Sequence, residues 1–291
     1  MKEKFKSFFT AIFYLLLAFL VQISISLIGG IALGIYYIVK AVSDSNNNAL
    51  IMEQKMGELI SVASKLTIIF LLISSIVTVL VFILIFKIRK KDYKLELQFN
   101  KTKRNNVVIA MLLGFSGWLI NSGILSILQE INLFKDQFQT MDNMLSPVME
   151  GNLFIIILTV GIIAPFTEEF IFRGVIYNTL RKNISIKWSI IIQGILFGVF
   201  HMNLIQGVYA TFLGILFGYL TYKSKSIWPA VIMHITNNII ATLSGVILDY
   251  VAMNIIGYLT FIVLGITGIM ISLLYIKNNN REESFNSYSI Y

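Results

Sequence analysis

Apolar residues come along this chain in runs long enough to cross a bilayer, and short clusters of Lys, Arg, Asn, Asp and Glu separate them. A helix on the surface of a soluble protein is apolar along one stripe. These runs are apolar on nearly every side, as a helix surrounded by lipid must be. The pattern predicts helices at about 8–39, 66–88, 106–128, 152–180, 186–203, 204–222, 227–247 and 255–276. A crossing uses about 20–25 residues, so some eight spans with their connections fill the chain and leave little for a soluble domain. The expected fold class is all-α, a polytopic membrane protein of about eight transmembrane helices. Its expected divisions are three N-terminal helices with an outer amphipathic segment (1–150), a group of core helices (151–248), and a last helix with a polar tail (249–291). No internal repeat interrupts this order.

Composition supports lipid as the solvent: 57% of the 291 residues are apolar and only 13% are charged. The net charge of +8 could suggest nucleic acid, but the basic residues sit beside the spans: Lys2, Lys4 and Lys6, the 87–104 stretch, Arg181 and Lys182, Lys223 and Lys225, and Lys277 and Arg281. The alternate connections carry Asp44, Glu53, Glu58, Glu130, Asp136, Asp142, Glu150 and Asp249. This bias is an orientation signal that puts both termini in the cytoplasm and gives no nucleic-acid partner. Zero cysteines exclude disulfides, thiol catalysis and Cys-ligated metal. The N-terminus begins like a signal peptide, yet apolar sequence continues to Val39, so an uncleaved first span that tilts or protrudes is expected. Residues 51–65 read as an amphipathic extension on the outer surface, 131–151 as an outer connection with an apolar component, and the tail from Asn278 as disordered.

Within the fourth span, Ala164–Gly174 reads APFTEEFIFRG. An ionised side chain at the centre of a bilayer costs ~3 kcal/mol or more, so Glu168, Glu169 and Arg173 need a reason to be there. Glu169 and Arg173 lie four apart on one helical face and can pair. Glu168 is turned about 100° away and is left without a local partner, the condition for a general base or acid. A structural network that locks neighbouring helices together is the alternative. The chain's only two histidines, His201 and His234, also fall in predicted spans. His234 shares a face with Asn238, making an array of donors, and Phe197 lies four residues before His201, where its ring can fix the imidazole. Counting 1.5 Å per residue from the predicted cytoplasmic ends puts Glu168 and His201 about 20 Å deep and His234 nearer 10 Å.

These residues resemble the CPBP family of intramembrane endopeptidases, the CaaX protease and bacteriocin-processing family. Its Glu-Glu-x-x-x-Arg, Phe-x-x-x-His and His-x-x-x-Asn motifs read here as EEFIFR (168–173), FGVFH (197–201) and HITNN (234–238), in the family's order over residues 150–245. The resemblance implies that Glu168 and His201 activate a water, that His234 and Asn238 stabilise the oxyanion, and that Glu169 and Arg173 orient the site. It implies a membrane-associated peptide or protein substrate, in peptide maturation or bacteriocin self-immunity, at the plasma membrane. Zinc held by Glu168, His201 and His234 is an alternative, although no His-Glu-x-x-His is present, and a cofactor-free glutamate mechanism is preferred. A rhomboid-type serine at Ser116 is disfavoured because its Gly-x-Ser-Gly precedes the His/Asn element, and Ser116 reads as a small residue for helix packing. Asp249, at a span end, cannot supply an aspartyl pair. A non-proteolytic scaffold or regulator of a membrane partner, and a proton-handling transporter, remain the other readings; oligomeric state is open.

Overall fold

In the computed structural model, residues 1–45, 49–247 and 253–288 are described, and every regular element among them is a helix. In chain order they are α1 (Lys2–Ser45), α2 (Ala49–Ile88), α3 (Tyr93–Glu96), α4 (Arg104–Glu130), α5 (Lys135–Met149), α6 (Leu153–Leu180), α7 (Ile186–Phe200), α8 (Leu204–Ser224), α9 (Trp228–Ile247) and α10 (Ile255–Tyr288). Six of these, α1, α2, α4, α6, α8 and α10, are long and apolar enough to cross a membrane. The spans expected at 186–203 and 227–247 are helical too. The first is only 15 residues long, and the second carries His234, Asn237 and Asn238. Asp249 lies outside the described residues.

The helix ends differ from the expected bounds for local reasons. Residues 51–65 continue the second span without a break, so α2 has 40 residues and, at 1.5 Å each, extends about 60 Å, twice the hydrocarbon thickness. With α1, which has 44 residues, it forms an antiparallel hairpin whose outer face shows Phe9, Phe13, Leu16, Leu80 and Leu84 to lipid. The 131–151 connection is ordered into α5, which buries Phe138 and packs on α2. The last helix starts at Ile255, as expected, and is assigned through Tyr288, past the expected end at 276. His201 sits at the C-cap of its helix, not within it. α7 ends at Phe200, Met202 takes a left-handed φ of 53°, and the Asn203 side chain caps α8 by accepting from the Gln206 N–H at 3.0 Å.

Small residues set the closest helix contacts. A Cβ added at Gly268 of α10 would lie 2.2 Å from Ser116 Oγ, and one at Gly114 would lie 2.3 Å from the Met233 carbonyl oxygen. α4 is therefore wedged between α9 and α10, with Ser116 buried as a packing residue. The basic 87–104 stretch is also more than a solvated loop. Asp92 caps α3, Leu97 is fully buried against Gly174, and the Gln98 carbonyl accepts from the Ile227 N–H at 3.2 Å. The Gln98 side chain donates to Asn178, and Ser226 Oγ donates to the Asn100 carbonyl at 2.7 Å. This segment thus closes one end of the bundle beneath α6 and α9.

Candidate active site

α6 is not a uniform α-helix. Ile157–Ile163 and Phe170–Tyr177 are wound as π-helix, on either side of an α-helical turn, Ala164–Glu169, that holds both glutamates. π segments inside helices recur at functional sites because the wider turn leaves carbonyls without their usual donors and redirects side chains. Here the Asn178 side chain takes up two such carbonyls, donating to Arg173 O at 3.2 Å and Gly174 O at 2.8 Å.

Glu169 is the hub of the polar cluster. Its Oε1 accepts from Arg173 Nη1 at 2.8 Å and from His234 Nδ1 at 2.8 Å, with both Glu169 and Arg173 wholly excluded from solvent. Arg173 Nη2 continues to the Gly214 carbonyl at 2.9 Å, and its guanidinium lies over the rings of Phe197 and Phe217 at 4.7 and 4.8 Å. The expected Glu169–Arg173 pair is thus present, and it has further partners. Since Glu169 can only accept, the hydrogen on His234 lies at Nδ1, which leaves Nε2 facing Glu168 Oε2 at 3.7 Å. Glu168, the most exposed of these carboxylates at 19%, is therefore not isolated, although its neighbour is His234. Phe217 stacks on the His234 ring at 4.8 Å and 22°.

His201 joins through Phe197. The Phe197 carbonyl accepts from His201 Nδ1 at 2.8 Å, and the two rings meet edge to face at 4.8 Å. The same phenyl meets His234 at 5.7 Å, so one ring separates the two imidazoles. With Nδ1 committed as donor, Nε2 of His201 carries the lone pair. Asn238 donates from Nδ2 to the Val160 carbonyl at 3.1 Å and accepts from Asn237 at 3.1 Å. Helix counting left His234 about 10 Å too shallow, and the contact with Glu168 has a visible cause. Trp228, at the start of α9, stacks on Phe166 of α6 at 6.1 Å, so α9 begins at the level of the site. Among the described residues no three or more His, Asp or Glu side chains are gathered as a metal site.

Gln193, Gly214, Phe217 and Asn237 did not stand out in the sequence. Gln193 is fully buried and donates to the same Gly214 carbonyl that receives Arg173, at 2.8 Å. An uncharged amide eight residues before His201 in an apolar run was a weak signal for it. Phe217 carried none, because aromatic residues are common in spans.

Together these features define a polytopic all-α membrane protein with a buried acid, base and amide cluster at the meeting of α6, α7, α8 and α9. Residues 150–240 match the family model described as Rce1-like, type II CAAX prenyl endopeptidase Rce1-like. The three motifs lie on this stretch, so the part of the chain that holds the polar cluster is the part similar to that family. A similar curated protein is "Putative membrane peptidase YdiL" of Bacillus subtilis (strain 168), 29% identical over 84 residues, which are 29% of this chain and 34% of that relative. The match thus spans about a third of that relative's length. No solved structure matches the chain.

Proposed function

We propose that this protein is an intramembrane endopeptidase that hydrolyses a peptide bond of a membrane-associated peptide or protein. The observation that carries the reading is the contact of Glu168 with His234, an imidazole held from behind by the buried Glu169–Arg173 pair. A buried, charged cluster is costly in lipid, and a site that stabilises developing charge is a sufficient reason to keep one.

In the proposed reaction, Glu168 and His201 polarise a water and take its proton as the oxygen adds to the scissile carbonyl. The carbonyl π pair moves to oxygen, giving a tetrahedral oxyanion. His234 and Asn238 donate to that oxyanion; this requires a hydrogen on His234 Nε2, so His234 serves there as imidazolium between two carboxylates. On collapse the oxyanion re-forms the carbonyl, the C–N bond breaks, and the proton held by Glu168 and His201 passes to the leaving amine. Glu169 and Arg173 orient the two histidine-bearing helices and touch no substrate. The glutamate mechanism is preferred to zinc because each side chain has a role without it. A mostly apolar cavity of about 620 Å³ between α4 and α8 offers room for an apolar part of the substrate.

The proposal includes eight crossings, both termini in the cytoplasm and a plasma-membrane location, with peptide maturation or bacteriocin self-immunity as the setting. The test compares peptides released by wild-type cells and by a Glu168→Gln strain. That variant keeps the shape and removes the base, so turnover should fall at least ~100-fold with folding unchanged, in the presence of chelator as well as without it. Near-normal cleavage by Glu168→Gln in liposomes would end the glutamate mechanism. A phenotype that survives the substitution would favour a scaffold.

A further inference from the structure

Pro165 lies three residues before Glu168, buried in the α-helical turn between the two π segments. The residues before it, Ile157–Ile163, are wound as π-helix, in which an N–H donates to the carbonyl five residues back, and Ala164 keeps that register by donating to Thr159 O. The next bond in that register would run from residue 165 to Val160 O. Proline has no N–H to make it. The other helical donor within reach of Val160 O, the Ala164 N–H, is spent on Thr159 O. Val160 therefore presents a backbone acceptor with no helical partner in a water-poor bundle, where an unmet carbonyl costs free energy.

Asn238 meets it. Its Nδ2 donates to Val160 O at 3.1 Å, while its Oδ1 accepts from Asn237 Nδ2 at 3.1 Å, which fixes both the direction of the carboxamide and which of its ends is the donor. The α9 backbone comes close enough for this because residue 161 is glycine, where an added Cβ would lie 2.9 Å from Ile239 Cγ1. The carboxamide nitrogen carries two hydrogens. One is used on Val160, and the other is left for a reacting carbonyl.

We propose that Pro165 is a positioning residue that acts through Asn238: by leaving the Val160 carbonyl without a backbone donor, it creates the acceptor that aims the Asn238 amide. The inference rests on the endopeptidase reading for its catalytic consequence, but not for the hydrogen bond itself.

Pro165→Ala supplies an N–H that can compete for Val160 O, and an alanine is otherwise easier on a helix than proline. Turnover is measured in liposomes on a quenched-fluorophore peptide with an apolar anchor segment, selected from a panel as one that wild type cleaves and Glu168→Gln does not. Pro165→Ala should lower kcat about 10- to 100-fold with KM within about twofold, and without a lower melting temperature, since one misaimed donor at an oxyanion has that effect. In an Asn238→Ala background the same substitution should add no further loss. An equal loss in both backgrounds, wild-type cleavage by Pro165→Ala, or wild-type cleavage by Asn238→Ala would each overturn the proposal. A second measurement needs no substrate. In nanodiscs, the Asn238 side-chain amide protons of ¹⁵N-Asn-labelled protein, assigned by their loss in Asn238→Ala, should exchange with water about tenfold faster in Pro165→Ala, as for loss of one ordinary hydrogen bond. Unchanged exchange would overturn the positioning role whatever the chemistry. If no peptide is cleaved by wild type but exchange changes as expected, the endopeptidase reading fails and the Pro165–Asn238 linkage stands.

Discussion

Arg173→Met should destabilise the protein by ~3 kcal/mol, the low end of the cost of breaking a buried ion pair. The magnitude follows from what the guanidinium leaves behind. Glu169 has no solvent exposure, so without Arg173 its charge is stranded except for His234 Nδ1 at 2.8 Å, which retains part of the compensation. The substitution also removes the bond to Gly214 O at 2.9 Å and the contacts over Phe197 and Phe217. These groups form one network, so their separate contributions are not summed. Glu169→Gln combined with Arg173→Met leaves no orphan charge, and its amide oxygen can still accept from His234. The double variant should regain at least ~2 kcal/mol over Arg173→Met, as removal of an unpaired buried charge requires. Cleavage should stay impaired about 100-fold because the helix bearing Glu168 has lost its anchor. The assay is equilibrium unfolding in mixed micelles, with folded yield and cleavage rate read on the same preparations. A double variant no more stable than Arg173→Met would refute the pairing argument and leave Arg173 as a residue that acts on Glu168 or substrate.

Gly268→Ala should destabilise by ~1–3 kcal/mol through overpacking, because its new Cβ would sit 2.2 Å from Ser116 Oγ and α10 would have to move off α4; the same unfolding assay reads it, and Ser116→Gly should relieve part of the loss. At Glu96 of α3, partial burial disfavours the charged form, but Lys182 at 3.0 Å and then Lys91 at 3.4 Å outweigh it and hold the carboxyl below its ordinary range. A carboxyl lowered by folding stabilises above its unfolded pKa, ~4.3 for Glu, and that stability is lost as pH falls through the lower folded value. Protection factors of the backbone amides over 93–99, with the intrinsic pH dependence of exchange divided out, should therefore fall below about pH 4 in wild type and stay flat with pH in Glu96→Gln, an effect of a few tenths of a kcal/mol that salt weakens.

The sequence by itself determined what depends on neighbours along the chain. Apolar runs longer than a bilayer crossing specify helices in lipid, whatever their arrangement, and a four-residue offset puts Glu169 and Arg173 on one face, where they pair. The offset of Phe197 and His201 likewise foretold their contact. Small residues such as Ser116 signalled close packing, though not against which helix. Only the tertiary structure decided the partners across helices. His234 meets Glu169 over 65 residues of chain and Asn238 meets Val160 over 78, and no periodicity encodes a contact of that range. Straight-helix counting set His234 about 10 Å from the level of Glu168, whereas the two side chains meet at 3.7 Å, with Trp228 at the start of α9 stacked on Phe166 of α6. The π winding was equally invisible: Pro165 in the sequence announces a missing donor, but not the register of the helix around it, nor that the Asn238 amide would lie on the Val160 carbonyl.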